Sequence, residues 1–126
     1  MFRSIFIVGL GGFAGSVLRY LVTRLIQVYS ASQFPWGTFV VNIAGSFLMG
    51  VFFALSERGN LLTSEWRLFL TVGLCGGFTT FSSLSNDAFL LLQGREFLSV
   101  SLYIAFSFFL GLLAVFAGRY LTAQIL

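Results

Sequence analysis

The chain has 126 residues, 58% of them hydrophobic and 9% charged, with a net charge of +3 and no histidine. A chain this short cannot hide that many apolar side chains in a water-soluble core, and its mean hydropathy of +0.98 makes the lipid bilayer the solvent, and the first partner, for most of its surface. With a single cysteine, Cys75, and no histidine there is no internal disulfide, no metal cluster and no credible pair of nucleophile and base, so neither an enzyme nor a nucleic-acid partner is expected.

A helix needs about 20 mostly apolar residues to cross the hydrocarbon core, and four stretches qualify, making one transmembrane domain over residues 1–126. The first covers roughly residues 4–26 and carries Arg19 and Arg24 near its end. A secretory signal peptide competes for this segment, but no small-residue cleavage site sits suitably and Arg19 follows the apolar run directly. The run Gly9-Leu10-Gly11-Gly12-Phe13-Ala14-Gly15 resembles a dinucleotide fingerprint only superficially, because that motif needs a preceding strand. Gly11 and Gly15, one helical turn apart, read instead as a small-residue packing face, and Gly73 with Gly77 reads the same way.

The second span, residues 37–56, follows the turn Phe34-Pro35-Trp36-Gly37, where Pro35 suits a helix start. Thr38, Asn42 and Ser46 recur at a spacing of four and share one face. Membrane hydroxyls commonly satisfy a carbonyl of their own helix, but the Asn42 amide has four hydrogen-bonding sites to fill near mid-span, through helix packing or along a water- or ion-lined path.

The third span, residues 66–93, contains Gly76-Gly77-Phe78-Thr79-Thr80-Phe81-Ser82-Ser83-Leu84-Ser85. Two glycines and five hydroxyls within ten residues make a poor continuous helix, so a break is expected, in preference to a flexible helix packed through its glycines. Non-helical backbone at membrane depth survives only where protein or a cavity covers it, and its freed carbonyls can coordinate a cation. The fourth span, residues 97–118, places Ser99, Tyr103 and Ser107 on one face, with Gly111 the next step along.

All seven basic residues are arginines, and four spans set Arg3, Arg58, Arg67 and Arg119 on one side against Arg19, Arg24 and Arg95 on the other. That split is nearly even, so the charges are compatible both with one weakly fixed orientation and with insertion in both orientations, as in an antiparallel dimer.

The Gly-rich first span ending in Leu18-Arg19-Tyr20, the segment Pro35-Trp36-Gly37-Thr38-Phe39-Val40-Val41-Asn42 and the string Gly76-Gly77-Phe78-Thr79-Thr80-Phe81-Ser82 together resemble the Fluc, or CrcB, family of fluoride channels over essentially the whole chain. The resemblance implies an all-α membrane protein of four transmembrane helices, the third broken near its centre, in an antiparallel dual-topology homodimer. It further implies a pair of fluoride pores between the subunits and a structural sodium ion held by the carbonyls of Gly76 and Thr79 from each copy. Asn42, Phe81, Tyr103 and Ser107 match its pore positions, with Thr38 and Ser82 as further polar candidates and Arg19 as a cation drawing anions into a vestibule. One departure stands out: Leu84 occupies the place of a second pore phenylalanine, so either fewer ring contacts suffice, conduction is poor, or another aromatic substitutes in space. Asp87 falls where the family often has a glutamate; it and Arg19 can equally be an interfacial anchor and a snorkelling side chain.

The implied activity is passive fluoride export across a bacterial inner membrane. The alternatives are a small dual-topology proton-coupled exporter, for which Asp87 is the only candidate carboxylate, a purely structural membrane subunit, or a homologue that Leu84 has left non-conducting.

Overall fold

A computed structural model describes residues 1–57 and 62–125, and among them every regular element is helical. Arg58, assigned above to one membrane face, lies outside the described residues. Helix α1 (Phe2–Ser30) and helix α2 (Trp36–Glu57) form the first two spans. The third span, Ser64–Gln93, is composite: α3 (Ser64–Leu68), a π-helical stretch Phe69–Cys75, α4 (Gly76–Phe78) and α5 (Phe81–Gln93). Helix α6 (Phe97–Ile125) completes a multi-pass membrane protein.

The helices run past the apolar stretches read from the sequence. At 1.5 Å per residue, the 29 residues of α1 or α6 reach about 43 Å, more than the ~30 Å hydrocarbon core, so their ends stand among headgroups, where polar residues cost nothing. Between α1 and α2, Gln27 ties down the short turn: its Nε2 donates to Ser32 O at 2.8 Å and Phe34 O at 3.0 Å, while its Oε1 accepts from Gly37 N at 3.2 Å.

Lipid offers helices no hydrophobic drive to associate, so close van der Waals approach must do it, and glycine supplies the approach. Gly11 and Gly15 of α1 face Gly73 and Gly77 of the third span. A methyl placed on Gly11 would come within 2.6 Å of Phe69 O and 2.8 Å of Gly73 Cα, and one on Gly77 within 2.6 Å of Gly12 O. A methyl on Gly15 would strike the Leu74 carbonyl oxygen. Both glycine pairs therefore pack as their spacing predicts, and they pack against each other. Helices α2 and α6 cross in the same manner through Gly50, which meets Val115 O, and Gly118, which meets Phe47 O. A separate apolar cluster of Ala88, Leu91, Val100 and the fully buried Tyr103 joins α5 to α6.

Two ion pairs stand at the ends of the spans. Arg3 pairs with Glu65 at 2.9 Å and Arg119 with Glu57, which gathers the start of α1, the end of α2, the start of α3 and the end of α6 at one membrane face. Many large apolar side chains stay outward, Phe13, Phe81 and Phe108 among them, as a lipid-solvated surface allows.

Candidate functional site

The site is built around the interruption of the third span. Thr79 (φ −89°, ψ 155°) and Thr80 (φ −154°, ψ 126°) are extended, so the helix stops after Phe78 and restarts at Phe81. The preceding glycines remain helical. Backbone groups freed at membrane depth need new partners, and threonine and asparagine side chains supply several of them. Thr79 Oγ1 donates to Cys75 O at 2.9 Å, alongside the backbone bond from Thr79 N to the same oxygen at 3.0 Å. Thr80 Oγ1 caps α5 by accepting from Ser83 N at 3.1 Å.

Asn42 closes the gap from α2. Its Nδ2 donates to Thr80 O at 3.1 Å, and its Oδ1 accepts from Thr80 N at 2.8 Å, a two-point clamp on one peptide. In a continuous helix the Thr80 N–H would return to Gly76 O. Diverting it to Asn42 releases that carbonyl. The amide still holds a second N–H on Nδ2 and a second lone pair on Oδ1.

Arg19 turns inward from α1 instead of snorkelling: its Nε donates to Gly77 O at 3.1 Å, placing a cation against the C-terminal end of α4, where the exposed carbonyls favour positive charge. Asp87 accepts a hydrogen bond from the Tyr103 hydroxyl at 3.2 Å, and the Phe34 ring packs edge-on against Tyr103 with centroids 5.4 Å apart. The Tyr103 hydroxyl is thus aimed at a carboxylate on the neighbouring helix.

An open cleft of about 390 Å³ runs between α2, the break and α6, and it brings together Asn42, Thr79, Phe81, Leu84 and Ser107 of the residues singled out in the sequence. Ser107 Oγ is buried there with no hydrogen-bond partner among the described residues, leaving a donor to spare. Phe81 is 79% exposed, its ring free to present an edge. Gly76 is exposed and does not line the cleft, and an added methyl there would find only Thr71 O, at 3.8 Å. Thr38 and Tyr103, both buried, and Ser82, exposed and bonded to Thr80 Oγ1 at 3.1 Å, do not line the cleft.

Seven further residues line it that the sequence reading did not name as site residues, and three of them are polar or aromatic: Ser46, Thr80 and Phe108. Ser46 and Thr80 carried a signal, since one continues the Thr38, Asn42 face and the other belongs to the hydroxyl-rich string. Phe108 carried none in a chain with 17 phenylalanines. Its ring lines the same cleft as Leu84, the aliphatic residue at the place where a second ring was implied.

Residues 6–119 match the sequence family described as CrcB-like protein, Camphor Resistance (CrcB). A protein of Flavobacterium psychrophilum named fluoride-specific ion channel FluC is 46% identical over 123 residues, covering 98% of this chain and 99% of its own. One of the same name from Bacteroides fragilis is 50% identical over 125 residues, 97% and 98% of the two chains. Another, from Thermus thermophilus, is 51% identical over 112 residues, 89% of each.

Proposed function

Since the chain belongs to the CrcB family, we propose that it is a fluoride-selective passive channel, working as an antiparallel homodimer with a pair of pores and a structural sodium ion between the copies. It is a transport protein of a bacterial membrane and not an enzyme. The observation that carries the reading is the cleft beside the broken third span, where the Asn42 amide, the unpartnered Ser107 hydroxyl and the free Phe81 ring border one space.

That combination suits a small, strongly hydrated anion. Water around fluoride must be replaced by donors of similar strength, and an amide N–H and hydroxyls supply them. The rim of a phenyl ring is the positive end of its quadrupole, so Phe81 can face an anion without holding it too tightly to leave. No carboxylate lines the cleft among the described residues, which sets it apart from the proton-coupled exporter, and Asp87 is engaged with Tyr103. Phe108, from another helix, lines the same cleft as the aliphatic Leu84, which supports the reading that another aromatic substitutes in space.

The carbonyls of Gly76 and Thr79 fit the proposed sodium ion: the Asn42 clamp frees Gly76 O, Thr79 is extended, and oxygen donors suit a hard cation. When bound, the ion would compensate the carbonyl dipoles at the break and tie the two copies together. Gly76 supports a partner on that side, since its own chain leaves open the space that a side chain would fill. The arginine split of four against three is compatible with dual topology.

The test is fluoride efflux from liposomes holding the purified protein, read with a fluoride electrode, with chloride as comparison ion and Phe81→Ile as control. Fast fluoride-selective efflux that the substitution abolishes is expected. No efflux from well-folded dimer would overturn the channel reading for this chain and point to Leu84, with Leu84→Phe as the repair.

A further inference from the structure

The hydroxyl face of α6 stops short. Ser99, Tyr103 and Ser107 recur every four residues, and the next position on that face is Gly111, which has no donor at all. Across the interface, on α2, Ser46 stands four residues beyond Asn42 and lines the same cleft as Asn42 and Ser107. The two positions meet: a methyl built on Gly111 would touch Ser46 Oγ at 3.6 Å, an ordinary contact, with no other atom from outside its own turn within 4 Å. The space a side chain at 111 would occupy is therefore open except for the hydroxyl of Ser46.

That hydroxyl is also unspent. Ser56 donates to Phe53 O at 2.8 Å, Ser101 to Phe97 O at 3.0 Å and Thr71 to Arg67 O at 2.6 Å, each satisfying its own helix. None of the side-chain hydrogen bonds formed among the described residues uses Ser46 Oγ. Its donor faces a cleft whose other donors are the Asn42 amide and the Ser107 hydroxyl.

We propose that Ser46 is an anion-coordinating, selectivity-setting residue of this channel, supplying from α2 the hydroxyl that α6 lacks at Gly111. The proposal rests on the channel reading above. An ion moving past Ser107 passes to Ser46 without a gap in its hydrogen-bond donors, so each step of dehydration is matched by a protein group. Glycine at 111 keeps the approach to Ser46 clear.

The experiment moves the hydroxyl from one helix to the other. Fluoride efflux and the fluoride-to-chloride ratio are measured in liposomes for the wild type, Ser46→Ala, Ser46→Thr and the double variant Ser46→Ala with Gly111→Ser. Ser46→Ala is expected to slow fluoride roughly tenfold or more, the scale of one hydrogen bond to a charged group, and to lower the ratio. Ser46→Thr keeps the hydroxyl and keeps efflux. The double variant restores most of the rate, because the donor returns to the same space from the other wall. A purely structural serine would not be rescued in this way, so failure of the double variant to recover overturns the proposal, as does an unchanged Ser46→Ala. If Ser46→Ala does not fold, Ser46→Cys, a near-isosteric weak donor, must show the same loss. A wild type that passes no fluoride overturns the channel reading itself, and a conducting wild type with an indifferent Ser46 overturns this inference alone.

Discussion

Asn42→Leu tests the amide as the structural clamp of the broken third span. Leucine keeps the γ-branched shape of asparagine, with somewhat more bulk, but removes both bonds to Thr80, the 3.1 Å donation to its carbonyl and the 2.8 Å acceptance from its N–H. Interhelical side-chain hydrogen bonds in membranes average about 0.6 kcal/mol and reach ~1.7, so the two-point clamp amounts to about 1–3 kcal/mol. There is a second effect. Released from Asn42, the Thr80 N–H has Gly76 O as its nearest helical acceptor, so the break relaxes towards continuous helix and consumes a carbonyl proposed for sodium. Reversible unfolding in mixed micelles, with and without sodium, reads both effects: the variant should lose about 1–3 kcal/mol and also lose any stabilisation by the ion. Stability within about 0.3 kcal/mol of wild type, with the sodium response intact, would refute the clamp as the device that holds the break open.

The other expectations follow from the same geometry. Gly15→Ala drives a methyl into the Leu74 carbonyl and to 2.8 Å from Phe78 N, so it should cost on the order of 1–3 kcal/mol in unfolding, whereas Gly76→Ala, with only Thr71 O at 3.8 Å, should leave the single chain as stable as before and weaken only dimerisation. Equilibrium unfolding and a monomer–dimer titration in detergent distinguish the two. Tyr103→Phe removes the 3.2 Å bond to Asp87 from an otherwise apolar cluster and should destabilise by about 1 kcal/mol, read as a lower unfolding midpoint. Replacing sodium by a bulky organic cation should lower the thermal midpoint of the wild type and shift its dimer equilibrium towards monomer; a midpoint indifferent to the cation would argue against Gly76 and Thr79 as ion ligands.

The elements that one helix dictates by itself were legible, and those that two helices settle together were not. The placement of the apolar runs marks four spans, and the spacing of Gly11 with Gly15 and of Gly73 with Gly77 marks faces made for close approach. Which face meets which is a matter of relative depth, and the crossing of Gly50 with Gly118 went unread because no second glycine lies four residues from either in its own helix. The break is the clearest case. Glycines and hydroxyls announced it, yet Gly76 and Gly77 stay helical and the extended residues are Thr79 and Thr80. Glycine only lowers the cost of leaving the helix. What decides the place is where the released N–H and C=O can be satisfied, and that is beside Asn42, 38 residues away in sequence. The same logic ranks the aromatic rings: with 17 phenylalanines, residue type says nothing, and Phe81 and Phe108 acquire meaning by sharing a cleft with an unpartnered hydroxyl.

The clamp also fits the double part proposed for Asn42, in stability and in conduction. Of its two N–H groups and two principal lone pairs, Thr80 takes one each, which fixes the amide plane and leaves the second N–H to whatever occupies the cleft. A donor held rigidly by the backbone it supports loses little entropy on meeting an ion, and it cannot turn away to satisfy itself elsewhere. A pore that must strip water from fluoride and still let it go needs donors of that kind, fixed in direction and few in number, and the broken third span is the feature of this fold that keeps Asn42 in place.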